Sequence, residues 1–285
     1  MPTAATAELV LSARASGRGV AAFNIITLEH AEAVIAAAEQ TRLPVVLQIS
    51  ENAVRFHGGD LPPLLTAAAV AAGAATVPVS LHLDHVKDEA LLRTGIASGV
   101  TSVMFDASTL PFDENLRATT RITAWAHAQG VWVEAELGEV GGKDGAHAPG
   151  VRTDPAEAAA FTSATGVDSL AVAVGSSHAM TERTARLDQH LIARLREAVE
   201  VPLVLHGSSG VPDDELRHAV TSGMTKINIG TALNLAFTAA VRRHLAADPA
   251  VVDPRRYLRP ARDAMTSAAA HLLHVVAGEP APTQP

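Results

Sequence analysis

The sequence predicts an α/β protein, a single closed (β/α)8 TIM barrel, from three observations. Eight short apolar runs rich in β-branched residues recur along the chain, Ala-rich segments of helical pattern separate them, and polar side chains gather at the C-terminal ends of the runs. Strands that are apolar almost throughout are buried on both faces, which is how parallel strands under covering helices read. Eight alternating units imply closure of the sheet.

The runs are 20–26 (VAAFNII), 44–50 (PVVLQIS), 78–85 (PVSLHLDH), 102–108 (SVMFDAS), 131–138 (VWVEAELG), 168–176 (DSLAVAVGS), 202–209 (PLVLHGSS) and 225–231 (TKINIGT). Segments such as HAEAVIAAAEQ and ALNLAFTAAVRRHLA supply the intervening helices. Asp154 is placed to cap a helix beginning at Pro155, with Glu157 adding favourable charge to its first turn. Pro212, followed by Asp213, Asp214 and Glu215, makes a similar entry after the seventh run. A doubly wound open sheet would carry a glycine-rich turn after its first strand, and FNIITLEH has none.

At 285 residues and 48% hydrophobic content, the chain suits one large core, so residues 1–278 are expected to form one domain and 279–285 a disordered tail. A formal charge of −8 without a dense basic stretch argues against a nucleic-acid or anionic-membrane surface. Cys is absent, so any metal must rest on imidazole and carboxylate ligands. The N-terminus lacks a signal-like pattern and no run is long enough to span a bilayer, so a cytoplasmic location is expected.

The strand-end polar set is Asn24; Ser50; Asp84 and His85; Asp106 and Ser108; Glu134 and Glu136; Ser176 and His178; His206 and Ser208; Asn228 and Thr231. In a barrel that face holds the active site. His85, His178 and His206 each follow an apolar run, and three neutral imidazoles can surround one divalent ion while leaving positions open for a ligand. Zinc is the expected occupant, and cobalt, iron or manganese also suits such a donor set. His57, His82, His127, His147 and His190 lack that placement, and His82 is expected to point inward beneath Asp84 in a structural role.

Asp84, adjacent to His85, can exchange a proton with an oxygen near the metal. Asp106, Glu134 and Glu136 can orient the ligating imidazoles, or hold an alternative metal position. HGSSG (206–210) and NIGT (228–231) offer backbone N–H groups and hydroxyls to a phosphate. The Gly-rich stretch EVGGKDGAHAPG after the fifth run can close over a substrate. Lys226 shares side-chain parity with Asn228, which leaves a Schiff-base mechanism as a rival.

Taken in order, AFNI, LHLDH, SVMFDAS, EAELGEVGG, AVAVGSSHAM, LVLHGSSGV, KINIGT and DPRRYLR resemble the class II, metal-dependent fructose-bisphosphate aldolases, especially the short branch that includes tagatose-bisphosphate aldolases. The resemblance implies a lyase that reversibly cleaves a ketose 1,6-bisphosphate, foremost fructose 1,6-bisphosphate, to dihydroxyacetone phosphate and glyceraldehyde 3-phosphate. It assigns zinc to His85, His178 and His206, acid/base work at the C4 oxygen to Asp84, and contact with the enediolate to Asn228. Asn24, Ser50, Gly175, Gly207, Ser208, Gly230 and Thr231 would bind substrate, with a monovalent cation such as Na+ or K+ near the phosphate. Arg259 would reach the far phosphate from a neighbouring subunit, implying a homodimer or homotetramer.

The chain departs from the family pattern at Val86 and Ala179, where Gly often follows a zinc histidine, and in the loop, where GGKDG replaces GGKED. Asp144 is the candidate for the proton exchange at C1 that the loop glutamate performs in relatives. A tagatose-bisphosphate or other sugar-phosphate aldolase is the alternative within the family, and a non-catalytic stabilising subunit of another aldolase is the alternative of a different class.

Overall fold

In the computed structural model, residues 3–137 and 151–279 are described. The expected eight strands are present, all parallel, and hydrogen-bonded in chain order into a closed barrel. They are β1 (Val20–Asn24), β2 (Val45–Ser50), β3 (Val79–Val86), β4 (Ser102–Phe105), β5 (Trp132–Leu137), β6 (Ser169–Val172), β7 (Leu203–Leu205) and β8 (Met224–Ile229). Several end earlier than their apolar runs. The reason is local: residues 173–188 leave β6 as a long loop carrying His178, and Ser208–Gly210 coils into a single 3-10 turn after β7.

Strand alternation divides the barrel into two packing zones. Side chains such as Phe23, Leu47, Leu83 and Ile229 face outward and join the helices in the main apolar core. The opposite parity lines the interior, with Ser80, His82 and Asp84 along β3, Glu134 and Glu136 along β5, and Lys226 and Asn228 along β8. At the N-terminal end, the helix Thr6–Ala15 closes the barrel: Leu9 and Val10 pack on Val20, Ala22 and Val46, and the Thr6 and Ser80 hydroxyls meet at 2.7 Å.

The anticipated punctuation is observed. Asp154 accepts hydrogen bonds from the N–H groups of Ala156 and Glu157 at the start of the helix Pro155–Thr165. The helix Asp213–Ser222 begins after Pro212 with three acidic residues in its first turn. The final helix, Arg255–Ala277, ends at left-handed Gly278, and of the expected tail only Glu279 falls within the described residues. Among the described residues, no helix is long and apolar enough to cross a membrane.

Candidate metal centre and active site

Consecutive residues of a regular strand face opposite sides, so Asp84 and His85 would not normally share a site. Here the pairing register of β3 with β4 shifts between Leu83 and Val86, and His85 adopts φ +50°. The irregularity turns the imidazole to the same end of the barrel as the Asp84 carboxylate, a re-aiming typical of bulges beside active sites. Such backbone costs about 1–3 kcal/mol and must be held by its surroundings. Glu51, 7% exposed, does part of that: its Oε2 accepts from Lys87 N at 2.6 Å and Asp88 N at 3.1 Å, just beyond the bulge.

The ligand atoms of His85, His178, His206 and Glu136 lie within 4.8 Å of one another. His85 Nδ1 contacts Asp106 Oδ2 at 2.9 Å, which leaves Nε2 to face the cluster. Asp106 also accepts from the Ser108 hydroxyl at 2.6 Å. Of the three carboxylates considered for orienting roles or an alternative metal position, Glu136 therefore joins the cluster, whereas Asp106 stands behind His85 and Glu134 behind His206.

His206 is presented from the opposite side. Its Nε2 meets Glu134 Oε1 at 3.1 Å, while Nδ1 lies 2.9 Å from Glu136 Oε2 outside hydrogen-bond geometry. Two donor atoms at that spacing, not sharing a proton in line, are arranged as adjacent ligands of one ion whose bonds are about 2.0–2.2 Å. Burial by itself would lower the His206 pKa, but the hydrogen bond with Glu134 and the charges of Glu136 and Glu134 outweigh it and raise it to about 9. Carboxylates that draw a proton onto a buried ring attract a divalent cation in its place, since ligation requires the neutral imidazole. Three imidazoles and a carboxylate thus fit a divalent metal.

Beneath the cluster runs a buried polar network. Lys226 Nζ donates to Glu134 Oε2 and to Asn228 Oδ1, both at 2.9 Å. Asn228 Nδ2 reaches Asp84 Oδ1 at 3.4 Å, and Asn24 Nδ2 donates to Asp84 Oδ2 at 2.7 Å. Burial disfavours ionisation of Glu134, but the Lys226 charge and the His206 contact hold its carboxyl far below the usual range. Lys226 therefore stands as a fully buried cation paired with Glu134, whereas an imine-forming lysine must present a neutral amine. His82 lies at the same depth, hydrogen-bonded to Ser102 at 2.6 Å; burial first, then the Lys226 charge, lowers its pKa to about 3.

Asp84, His85, His178 and Asn228 open onto one cavity of about 280 Å³, whose walls include Asn24, Ser50, Gly207, Ser208, Gly230 and Thr231. Gly207, at φ +67°, lets β7 pass the β6 loop, where an added Cβ would sit 2.5 Å from the Ser177 carbonyl carbon. The helix Thr231–Ala247 starts at this cavity, where Ser209 Oγ accepts from the Ala232 N–H at 3.1 Å and the positive end of the helix favours an incoming anion. Ala179, anticipated as a departure, lines the wall at φ +58°.

Two expected substrate contacts are not brought to the cavity of this chain. Gly175 does not line it; at φ +123° it permits a close approach, since a Cβ there would lie 2.4 Å from Arg186 O. Arg259 lies in a separate cleft with Glu29, Glu32 and Arg262. Asp144 and the Gly-rich loop fall outside the described residues. Ser209 of the HGSSG segment lines the cavity as well; conversely, Ile26, Asn52 and Asn234 line it without having been anticipated. Asn52 and Asn234 lie in the opening turns of helices just past Ser50 and Thr231, so following each strand end one helical turn further is the signal that finds them.

A barrel with a three-histidine, one-carboxylate cluster able to hold a metal, beside a buried aspartate and a helix N-terminus, is an arrangement that a metal-dependent lyase can use. Residues 4–279 match the family described as fructose-bisphosphate aldolase class-II, and the chain belongs to that family. It is 42% identical over 265 residues to a fructose-bisphosphate aldolase of Geobacillus stearothermophilus, covering 90% of this chain and 91% of that one. To a fructose-bisphosphate aldolase of Thermus caldophilus it is 39% identical over 285 residues, covering 90% and 92%. Among solved structures, the YdjI aldolase from Escherichia coli K12 superposes with a TM-score of 0.84 at 33% identity, over 96% of this chain and 97% of that one. The protein is accordingly an aldolase lyase of a metal-dependent family that acts on phosphorylated sugars.

Proposed function

We propose that the protein is a cytoplasmic, zinc-dependent aldolase that reversibly cleaves fructose 1,6-bisphosphate to dihydroxyacetone phosphate and glyceraldehyde 3-phosphate. The observation that carries this reading is the cage of His85, His178, His206 and Glu136 with Asp84 beside it on the same cavity. His85, His178 and His206 would hold the ion, with Glu136 as a further ligand. When bound, it supplies Lewis-acid polarisation of a carbonyl and tolerance of negative charge at the neighbouring carbon.

The remaining chemistry belongs to the chain. Asp84 is 2% exposed and oriented by Asn24 and Asn228 on both oxygens, and would serve as the base for the C4 hydroxyl proton in cleavage and the acid that returns it in condensation. Lys226 engages Asn228 Oδ1 and one amide N–H reaches Asp84, so the second N–H would steady an enediolate oxygen. Gly207, Ser208, Gly230 and Thr231 would hold one phosphate, with a Na+ or K+ ion adjacent. Asp144 is assigned the proton exchange at C1. Arg259, remote from this cavity, would serve the far phosphate of a neighbouring subunit in a homodimer or homotetramer.

A coupled cleavage assay tests this reading. Zinc-loaded protein should cleave fructose 1,6-bisphosphate in preference to tagatose 1,6-bisphosphate and monophosphates, lose activity on chelation, and regain it with zinc or cobalt. Preference for the tagatose substrate would assign the activity within the family differently, and undiminished turnover without metal would remove the metal mechanism.

A further inference from the structure

The helix Leu28–Thr41 opens irregularly: its N-cap Thr27 makes no side-chain cap to the backbone. Its hydroxyl lies 3.1 Å from His30 Nδ1, and His30 Nε2 lies 3.2 Å from Asn234 Oδ1, on a helix distant in sequence. The His30 ring is 4% exposed and stacked on Phe237 with centroids 5.8 Å apart, so its orientation is set by packing as well as by hydrogen bonds. Asn234 Oδ1 can only accept, so Nε2 carries the ring proton and Nδ1 accepts from Thr27. A hydroxyl that could have capped its own helix is committed instead to a relay ending on an amide in the cavity wall.

With its oxygen held by His30, Asn234 turns its NH2 away from that ring. Asn234 shares the cavity wall with Gly230, Thr231 and Ser209, at a helix terminus whose positive end favours an anion and whose Ala232 N–H is already taken by Ser209 Oγ at 3.1 Å. We propose that Asn234 is a further substrate-binding residue, its NH2 aimed by the Thr27–His30 relay to donate to the phosphate held at the Gly230–Thr231 helix terminus. The inference rests on the aldolase reading above and assigns this donor as an addition to it. Thr27 and His30 act through Asn234 as positioning residues and do not touch substrate.

The test pairs inorganic phosphate binding by calorimetry with steady-state cleavage of fructose 1,6-bisphosphate, both on zinc-loaded protein. Asn234→Ala should weaken phosphate binding and raise KM about five- to tenfold while changing kcat less than about twofold, as expected for loss of a donor to a charged group. Asn234→Asp should weaken phosphate binding more, because it sets a carboxylate against the anion. His30→Gln and Thr27→Val should shift binding in the same direction by smaller factors. Phosphate affinity unchanged in both Asn234 variants overturns the proposal, as does a fall in kcat with KM unaltered. If wild-type protein cleaves no ketose bisphosphate, the aldolase reading fails separately, and phosphate affinity still decides the role of Asn234.

Discussion

Asp84 and His82 occupy one face of one strand, yet their environments assign them opposite tasks. Asp84 is held by two amide donors at the cavity, whereas His82 sits below with its ring on Ser102. Asp84→Asn keeps the shape and one of the two amide contacts but removes the proton acceptor. It should lower kcat for cleavage by about 10²- to 10⁴-fold while metal content, read by elemental analysis, stays at the wild-type level. His82 predicts a pH effect on stability. Its folded pKa is lowered to about 3 from the usual 6.5 of an exposed imidazole, so between those values the unfolded chain binds the extra proton and stability falls as pH falls. His82→Gln should remove up to about 1.4 kcal/mol per pH unit from that slope. Urea unfolding of metal-free protein from pH 7 to 5 measures it, and an unchanged slope would contradict the assignment.

Between elements, the decisive contact is the buried link from β5 to β8. Glu134 and Lys226 are both fully buried, and the pair joins His206, of the candidate metal cluster, to the amide of Asn228. Lys226→Met leaves Glu134 without its cation and should cost about 3–5 kcal/mol in urea unfolding. Adding Glu134→Gln should recover part of that loss, because an isolated buried charge is then no longer left behind. Strand periodicity identified Lys226 as inward-facing, but not what it would meet there, since its partner lies 92 residues away. The β3 irregularity is a similar case. LHLDH reads as a strand end with a histidine, and only the shifted register against β4 and the positive φ of His85 bring that ring beside Asp84.

For the whole molecule, closure of eight parallel strands converges loops from distant parts of the chain, and the Arg259 assignment requires a second subunit to complete the site. Mixing the inactive variants Asp84→Asn and Arg259→Ala under subunit exchange should restore about a quarter of wild-type activity, because a hybrid dimer contains one intact composite site. No recovery after verified exchange would place Arg259 outside its partner's site. The order of eight apolar runs, the three histidines, Asp84 and the phosphate loops were legible without coordinates because they depend on local pattern and chain order. Periodicity of burial is a property of neighbours in sequence, so the amino-acid sequence by itself determined the barrel and the residues at its C-terminal end. The tertiary structure alone decided that Glu136 rather than Asp106 enters the metal cage, that Gly175 serves a loop crossing, that Lys226 is a paired cation and that Asn234 reaches the cavity. Those outcomes depend on distances between segments far apart in the chain, which closure of the barrel sets and no local pattern encodes.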